Sequence, residues 1–251
     1  MLAALIGLLM SGECQMATVA ERLESYDWGA IGRSLDGQGW ARLSALLINR
    51  ECDDIAALYG PSDRFRSHVV MARHGFGKGE YRYFAYPLPD LVHDLRAALY
   101  PRLQPVADRW YERMNADVRF PDRHETFLER CNSAGQTRPT PLLLRYGPGD
   151  YNCLHQDLYG EHVFPLQVVV LLSEPYVDFE GGEFVITEQR PRMQTRAQVV
   201  PMIKGDAVVF AVNHRPHRGT RGDYRVALRH GVSEVRAGHR HALGIIFHDA
   251  A

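Results

Sequence analysis

Apolar positions recur at intervals of three and four through the first half of the chain and at intervals of two through the second. From Val19 to Asn132 helical spacing dominates: "ARLSALLINRECDDIAALYG" repeats apolar residues at three and four, and "DLVHDLRAALYPRLQPVADRWYERM" does so again. Pro101 and Pro105 are expected to break or kink that second run, because a proline inside a helix removes a backbone donor and crowds the preceding turn. Between the two runs, "SHVVMARHGFGKGEYRYFAYP" alternates and carries glycines at 75, 77 and 79, which predicts a β-hairpin over about 67–86.

From Pro141 the pattern becomes a series of short β-type runs: "LLLRY", "LQVVVLLSE", "GEFVITEQ", "AQVVPM", "DAVVFAV", "ALRHGVSEV" and "HALGIIFH". Strand following strand with no helix between them implies antiparallel pairing, and Gly181-Gly182 and Lys204-Gly205-Asp206 supply turns. A jelly roll or closed barrel buries this many strands without exposed edges. The expected fold is therefore α+β: one domain over 1–251, with a mainly helical part over 1–135 buttressing a jelly-roll core over 136–251.

Composition narrows the setting. With 45% hydrophobic and 24% charged residues, 251 residues can bury a full core, and a net charge of -1 gives no global pull toward nucleic acid or a membrane. Anion binding must be local. The N-terminal "MLAALIGLLM" is too short for a bilayer, which needs ~20 apolar residues. No Lys or Arg precedes that run, Glu13 before Cys14 argues against lipidation, and Met16 offers an alternative start. Cys14, Cys52, Cys131 and Cys153 show no close pairing and are expected to be reduced thiols in a cytoplasmic protein. No membrane association and no obligate protein partner are expected.

The chemistry concentrates in "NCLHQDLYG", where His155 and Asp157 stand two apart. With 12 His and 16 Asp in the chain, roughly 0.8 such triplets arise by chance, so the surroundings must decide. On a strand end, side chains two apart share a face and can touch one ion. Two histidines and a carboxylate on one face suit non-haem Fe(II) and leave positions open for chemistry. Candidates for the third ligand are His214, His217, His230, His239 and His241. His214 and His217 sit among Arg, Pro and Gly and read as a mobile loop. His230 follows "VAL" in a β pattern, and a rigid strand positions a ligand better, so His230 is expected, with His214 or His217 as the alternatives. Cys153 reads as a packing residue, since thiolate suits zinc or clusters. Arg240 opens the strand returning after Gly238, where its guanidinium can clamp a carboxylate of a dicarboxylic cosubstrate.

Two basic segments are candidate substrate contacts. The arginines at 215, 218, 221, 225 and 229, opposed only by Asp223, read either as a phosphate-binding loop, with Arg215 and Arg218 foremost, or as a solvated loop. "GKGEYRYFAYP" places Lys78 and Arg82 beside Tyr81, Tyr83 and Tyr86, a mixture suited to stacking a base over a backbone cradle or to plain packing along a hairpin.

The ordered set of His155-x-Asp157, "GGEF" at 181–184, "KGDAVVF" at 204–210 and "HGVSEVRAGHRHALGIIF" from 230 resembles the 2-oxoglutarate and Fe(II)-dependent dioxygenase superfamily on its double-stranded β-helix, over roughly the C-terminal 110 residues. Within it, "RYGPGDYNCLHQD" and "RHGV" are similar to the AlkB-type nucleic-acid repair branch, and most similar to the bacterial family of oxygenases of damaged nucleic acid. The resemblance implies that His155, Asp157 and His230 hold a catalytic Fe(II). It implies also that Arg240 clamps 2-oxoglutarate, that the Tyr146 hydroxyl helps hold it, and that O2 is consumed as succinate and CO2 form. Ascorbate would serve as reductant in vitro. Leu144 and Ile246 stand where the AlkB pattern has an asparagine and an arginine. The implied substrate is alkylated single-stranded DNA or RNA, demethylated with loss of formaldehyde; the alternatives are hydroxylation of a protein side chain or small metabolite, and a non-catalytic sensor of metal and 2-oxoglutarate.

Overall fold

The computed structural model describes residues 17–60 and 62–251; the readings made of the N-terminal apolar run, Cys14 and Met16 lie outside them. A Thr18–Glu21 capping box opens α1 (Val19–Glu24). Asp27 caps α2 (Trp28–Gln38), which ends on Gly39 at φ +83, a left-handed conformation that glycine adopts without strain. Then follow α3 (Asn49–Ala57), α4 (Asp90–Arg113) and α5 (His124–Ser133). The expected break at the prolines does not occur: α4 runs unbroken through Pro101 and Pro105. Both prolines face solvent, while Leu95, Leu99, Leu103 and Trp110 on the other face are 0% exposed. Burying such a stripe contributes about 1.5–3 kcal/mol per side chain, which together outweighs about 3 kcal/mol for each proline.

The first predicted helix also begins differently. Trp40–Leu43 form a strand, β1, paired antiparallel with β11 (Ala207–Ala211), and only Asn49–Ala57 are helical. Four residues are too few for helix and strand periods to be told apart, and the edge of β11 decides.

Within the predicted hairpin, β2 (Phe65–Val70) and β4 (Glu80–Phe84) pair antiparallel, with β3 (Gly77–Lys78) between them in sequence. The later strands are β5 (Leu142–Tyr146), β6 (Tyr151–His155), β7 (Leu166–Leu171), β8 (Phe179–Gly181), β9 (Phe184–Gln189) and β10 (Arg196–Val200). After β11 come β12 (His214–Gly219), β13 (Gly222–Val232), β14 (Val235–Gly238) and β15 (Arg240–Ile245). One sheet has the order β1-β11-β7-β15-β5-β4-β2; the second is β10-β9-β13-β6-β3 with β12 on β13, and β14 pairs β8. Every strand ladder is antiparallel, and the fold is an α+β double-stranded β-helix. The helical part does more than buttress it, since β1, β2 and β4 are strands of the larger sheet. Every residue of β7 and β11 is buried, because α2 lies against β11 and α3 and α4 against β15, covering the outer face.

The segment expected to be a mobile loop is ordered. "HRPHRG" is β12, an edge strand paired only with β13, where a proline is tolerated at Pro216 because its missing donor faces no neighbour. Arg215 is 0% exposed, with its guanidinium on the Glu188 carboxylate and the Asp36 carbonyl. It is part of the core and cannot reach a phosphate.

Candidate metal centre

His155 is the last residue of β6 and lies directly across from His230 on β13, their ring centroids 4.2 Å apart. Between the pairs His155↔His230 and Asn152↔Val232 the register shifts, with three steps along β6 against two along β13. This bulge leaves Cys153 and Leu154 exposed in succession at the cavity mouth, with Asn152 and His155 lining the same cavity on either side of them. Past the strand end, the Gln156 amide donates to the carbonyls of Leu228 (2.7 Å) and Asn213 (3.3 Å), pinning the turn beside β13. Asp157 is thereby brought back to the two rings. Its Oδ1 lies 3.5 Å from His155 Nε2 and its Oδ2 3.3 Å from His230 Nε2.

One potential ligand atom from each of these three residues lies within 4.8 Å of the others. His155 Nδ1 donates to the Cys153 carbonyl at 2.8 Å, which turns the Nε2 lone pair inward. Burial raises the Asp157 pKa, but His230, His155 and Gln167 outweigh it and hold the carboxyl below its usual range. Burial, then the neighbouring His155, pushes His230 down toward the neutral imidazole that a metal requires. The donor set of two neutral imidazoles and one carboxylate fits Fe(II).

The three residues line a cavity of about 330 Å³ together with Arg240, Tyr146, Tyr81, Tyr83 and Phe76. Arg240 is 2% exposed, yet its Nε has no hydrogen-bond partner among the described residues. Its charge centre lies over the rings of Tyr146 (5.6 Å) and Phe179 (5.9 Å), and burial pushes its pKa down. Glu183, whose charge acts on Arg240 at longer range, is engaged by Ser233 and Arg236. A buried guanidinium without an anion is costly unless a ligand supplies one, so the residues fit the distal carboxylate of 2-oxoglutarate. Tyr146 stands opposite Arg240 in the β5–β15 register, fully buried, its hydroxyl accepting from the Asn152 amide at 3.5 Å.

The other candidates separate. Tyr81 and Tyr83 meet edge to face at 5.4 Å and face the cavity. Arg82 points away, over Tyr59 and Phe65 at 5.3 and 5.8 Å, as alternation along β4 requires. Tyr86 turns to Asp249. Lys78 is exposed on β3 without lining the cavity. Arg218 is exposed and paired across β12 with Asp223, seven residues from His230 along β13, or about 23 Å at ~3.3 Å per residue. His214 and His217 lie outside the cluster. Leu144 and Ile246 line the cavity as apolar wall.

Sequence reasoning missed Tyr159, whose hydroxyl donates to Asp157 Oδ1 at 2.7 Å, and Gln167, whose amide donates to Oδ2 at 2.8 Å. Gln167 did leave a signal: it is the one polar residue in "LQVVVL", and it is only 6% exposed.

This is the architecture of the 2-oxoglutarate and Fe(II)-dependent dioxygenases, and the chain is an enzyme of that class. Residues 79–250 match a family described as oxygenases catalysing oxidative methylation of damaged DNA, and the chain belongs to that family. It is 48% identical over 168 residues to uncharacterized proteins of two strains of Mycobacterium tuberculosis, covering 67% of this chain and 72% of theirs. Its fold is similar to an oxidoreductase of the 2OG-Fe(II) oxygenase family from Burkholderia pseudomallei, with TM-score 0.51, 16% identity, and coverage of 90% of this chain and 94% of that one. A prolyl-4-hydroxylase of Pseudomonas putida aligns with TM-score 0.47 and 15% identity over 86% of this chain and 96% of its own.

Proposed function

We propose that the enzyme oxidises alkyl groups on damaged bases of single-stranded DNA or RNA, with His155, Asp157 and His230 as iron ligands and Arg240 and Tyr146 holding 2-oxoglutarate. The observation that carries the reading is one cavity lined by both the His-Asp-His cluster and a buried guanidinium that makes no salt bridge among the described residues. Iron with 2-oxoglutarate and O2 supplies an oxidant able to take hydrogen from a C–H bond, with succinate and CO2 as coproducts. The chain does the rest. Arg240 fixes the distal carboxylate, and Tyr146, steadied by Asn152, adds a hydroxyl donor. Leu144, Val168 and Ile246 exclude water from the inner wall.

Two features support a base as substrate. The family is described by its action on damaged DNA, and the cavity is lined by Phe76, Tyr81 and Tyr83, with Phe76 48% exposed. An unstacked base can lie against such rings, and oxidising its N-methyl group yields a product that loses formaldehyde. A cytoplasmic setting belongs to the same proposal and agrees with three free thiols, Cys52, Cys131 and Cys153. No described helix is long and apolar enough to cross a membrane.

The test is succinate formation by purified protein with Fe(II), ascorbate and 2-oxoglutarate, with and without methylated single-stranded DNA or RNA. Stimulation by the methylated strand is expected. Turnover indifferent to nucleic acid would replace this reading by hydroxylation of a protein side chain or metabolite. Absence of all turnover after anaerobic iron loading leaves the non-catalytic sensor.

A further inference from the structure

We infer that Gln167 is a positioning residue of the metal centre, retained to orient the Asp157 carboxylate at a cost to the fold around it. The inference rests on the assignment of His155, Asp157 and His230 as metal ligands.

Gln167 projects from β7, whose other residues are Leu166, Val168, Val169, Val170 and Leu171, in the interior of the larger sheet. Its amide nitrogen lies 2.8 Å from Asp157 Oδ2 and 3.3 Å from His230 Nε2. Its carbonyl Oε1 is buried and has no hydrogen-bond partner among the described residues. An unpartnered buried carbonyl weakens a fold, and an apolar side chain of similar size would remove that defect. A local defect that persists beside a cluster of ligands points to a function of the other end of the same group.

That function follows from the surroundings of the carboxylate. A carboxylate on two flexible torsions can offer a metal either oxygen in several orientations. Here Tyr159 donates to Oδ1 and Gln167 to Oδ2, so the plane of the group is fixed from both sides. The two histidines differ in their support. His155 is held through Nδ1 by the Cys153 carbonyl, whereas Nδ1 of His230 has no partner among the described residues. The Gln167 amide also comes within 3.3 Å of His230 Nε2, but that lone pair is the one a metal would take, so the support Gln167 gives acts through Asp157.

The experiment is Mn(II) titration of the metal-free protein, read by calorimetry, together with its melting temperature. Gln167→Leu and Gln167→Met are expected to weaken Mn(II) binding by roughly 10- to 100-fold while the melting temperature of the metal-free protein stays near wild type, relief of the unpartnered carbonyl offsetting the lost bond to Asp157. Tyr159→Phe, removing the other donor, is expected to weaken Mn(II) in the same direction. Mn(II) affinity of both Gln167 variants within fivefold of wild type would overturn the inference. So would weaker binding accompanied by a lower melting temperature, because the residue would then serve the fold. His155→Ala separates the levels: if it too keeps Mn(II), the metal-centre assignment has failed, whereas its loss beside intact binding in the Gln167 variants overturns only the role of Gln167.

Discussion

Arg215 and Arg240 are equally hidden, 0% and 2% exposed, and lie on strands of the same half of the chain, yet their surroundings are opposite. The Arg215 guanidinium meets the Glu188 carboxylate and the carbonyls of Asp36 and Pro216. Nε lacks a partner in both, but Arg240 lies over the faces of Tyr146 and Phe179 and makes no salt bridge among the described residues, with Glu183 acting on it only at longer range. Taking a cation out of water costs several kcal/mol, and only partners of good geometry offset it. A buried charge with its partners built in belongs to the fold; one without them is provision for a ligand.

The sharpest break would come at the neighbouring cluster. Alanine at His155, Asp157 or His230 is expected to abolish iron-dependent succinate formation; if His230→Ala keeps wild-type iron affinity while His217→Ala loses it, the ligand assignment falls. Next, methionine in place of each arginine should split two measurements. Arg215→Met strands Glu188 with only Arg190 beside it and should lower stability in urea by about 3–5 kcal/mol. Arg240→Met should leave urea stability unchanged or higher and raise the KM for 2-oxoglutarate about 100-fold. A 2-oxoglutarate KM unmoved in Arg240→Met would place both arginines in the fold.

A third buried arginine tests the paired class by pH. Arg96, held by Asp249 at 2.8 Å and by the Ile246 carbonyl, acts on His124 and His248. Burial, then the Arg96 charge, pushes both imidazoles down to about 3, so the fold prefers them neutral. Their contribution is therefore complete above pH ~6.5, the unfolded value, and is lost as pH falls toward 3, by about 1.4 kcal/mol per unit for each. Urea midpoints that stay constant between pH 7 and 5 would contradict this. The smallest effect is expected of exposed Arg218: Arg218→Ala should change turnover on a methylated strand by less than about twofold, since its pair with Asp223 is a surface contact.

Chemistry with a spacing was legible in the sequence. His155-x-Asp157, a histidine on a later β run and an arginine opening the last strand do lie together, although Asp157 arrives by the turn that Gln156 pins and not by alternation along β6. What sequence could not distinguish was the company each arginine keeps. Arg215 and Arg218 stand in one basic run, yet the first meets Glu188, 27 residues away, and only tertiary pairing decides that. Short segments suffered likewise: Trp40–Leu43 and His214–Gly219 carry too few residues for their period to speak, and neighbouring strand edges settled both. Gln167 and Tyr159 were missed because a hydrogen bond to a ligand has no spacing rule, although an isolated polar residue in a buried strand is a usable flag.

The bulge in β6 has a consequence for how the site tolerates change. A regular strand sends every second residue to one side, so Asn152 and His155, three apart, would fall on opposite sides. The extra residue acts as a phase shifter between the part of the strand that serves Tyr146 and the part that serves the metal ligands. Insertions and deletions there are therefore parity operations: losing either Cys153 or Leu154 is expected to keep every candidate ligand in the sequence while turning Asn152 or His155 out of the cavity. Substitutions at those two exposed positions leave the parity intact.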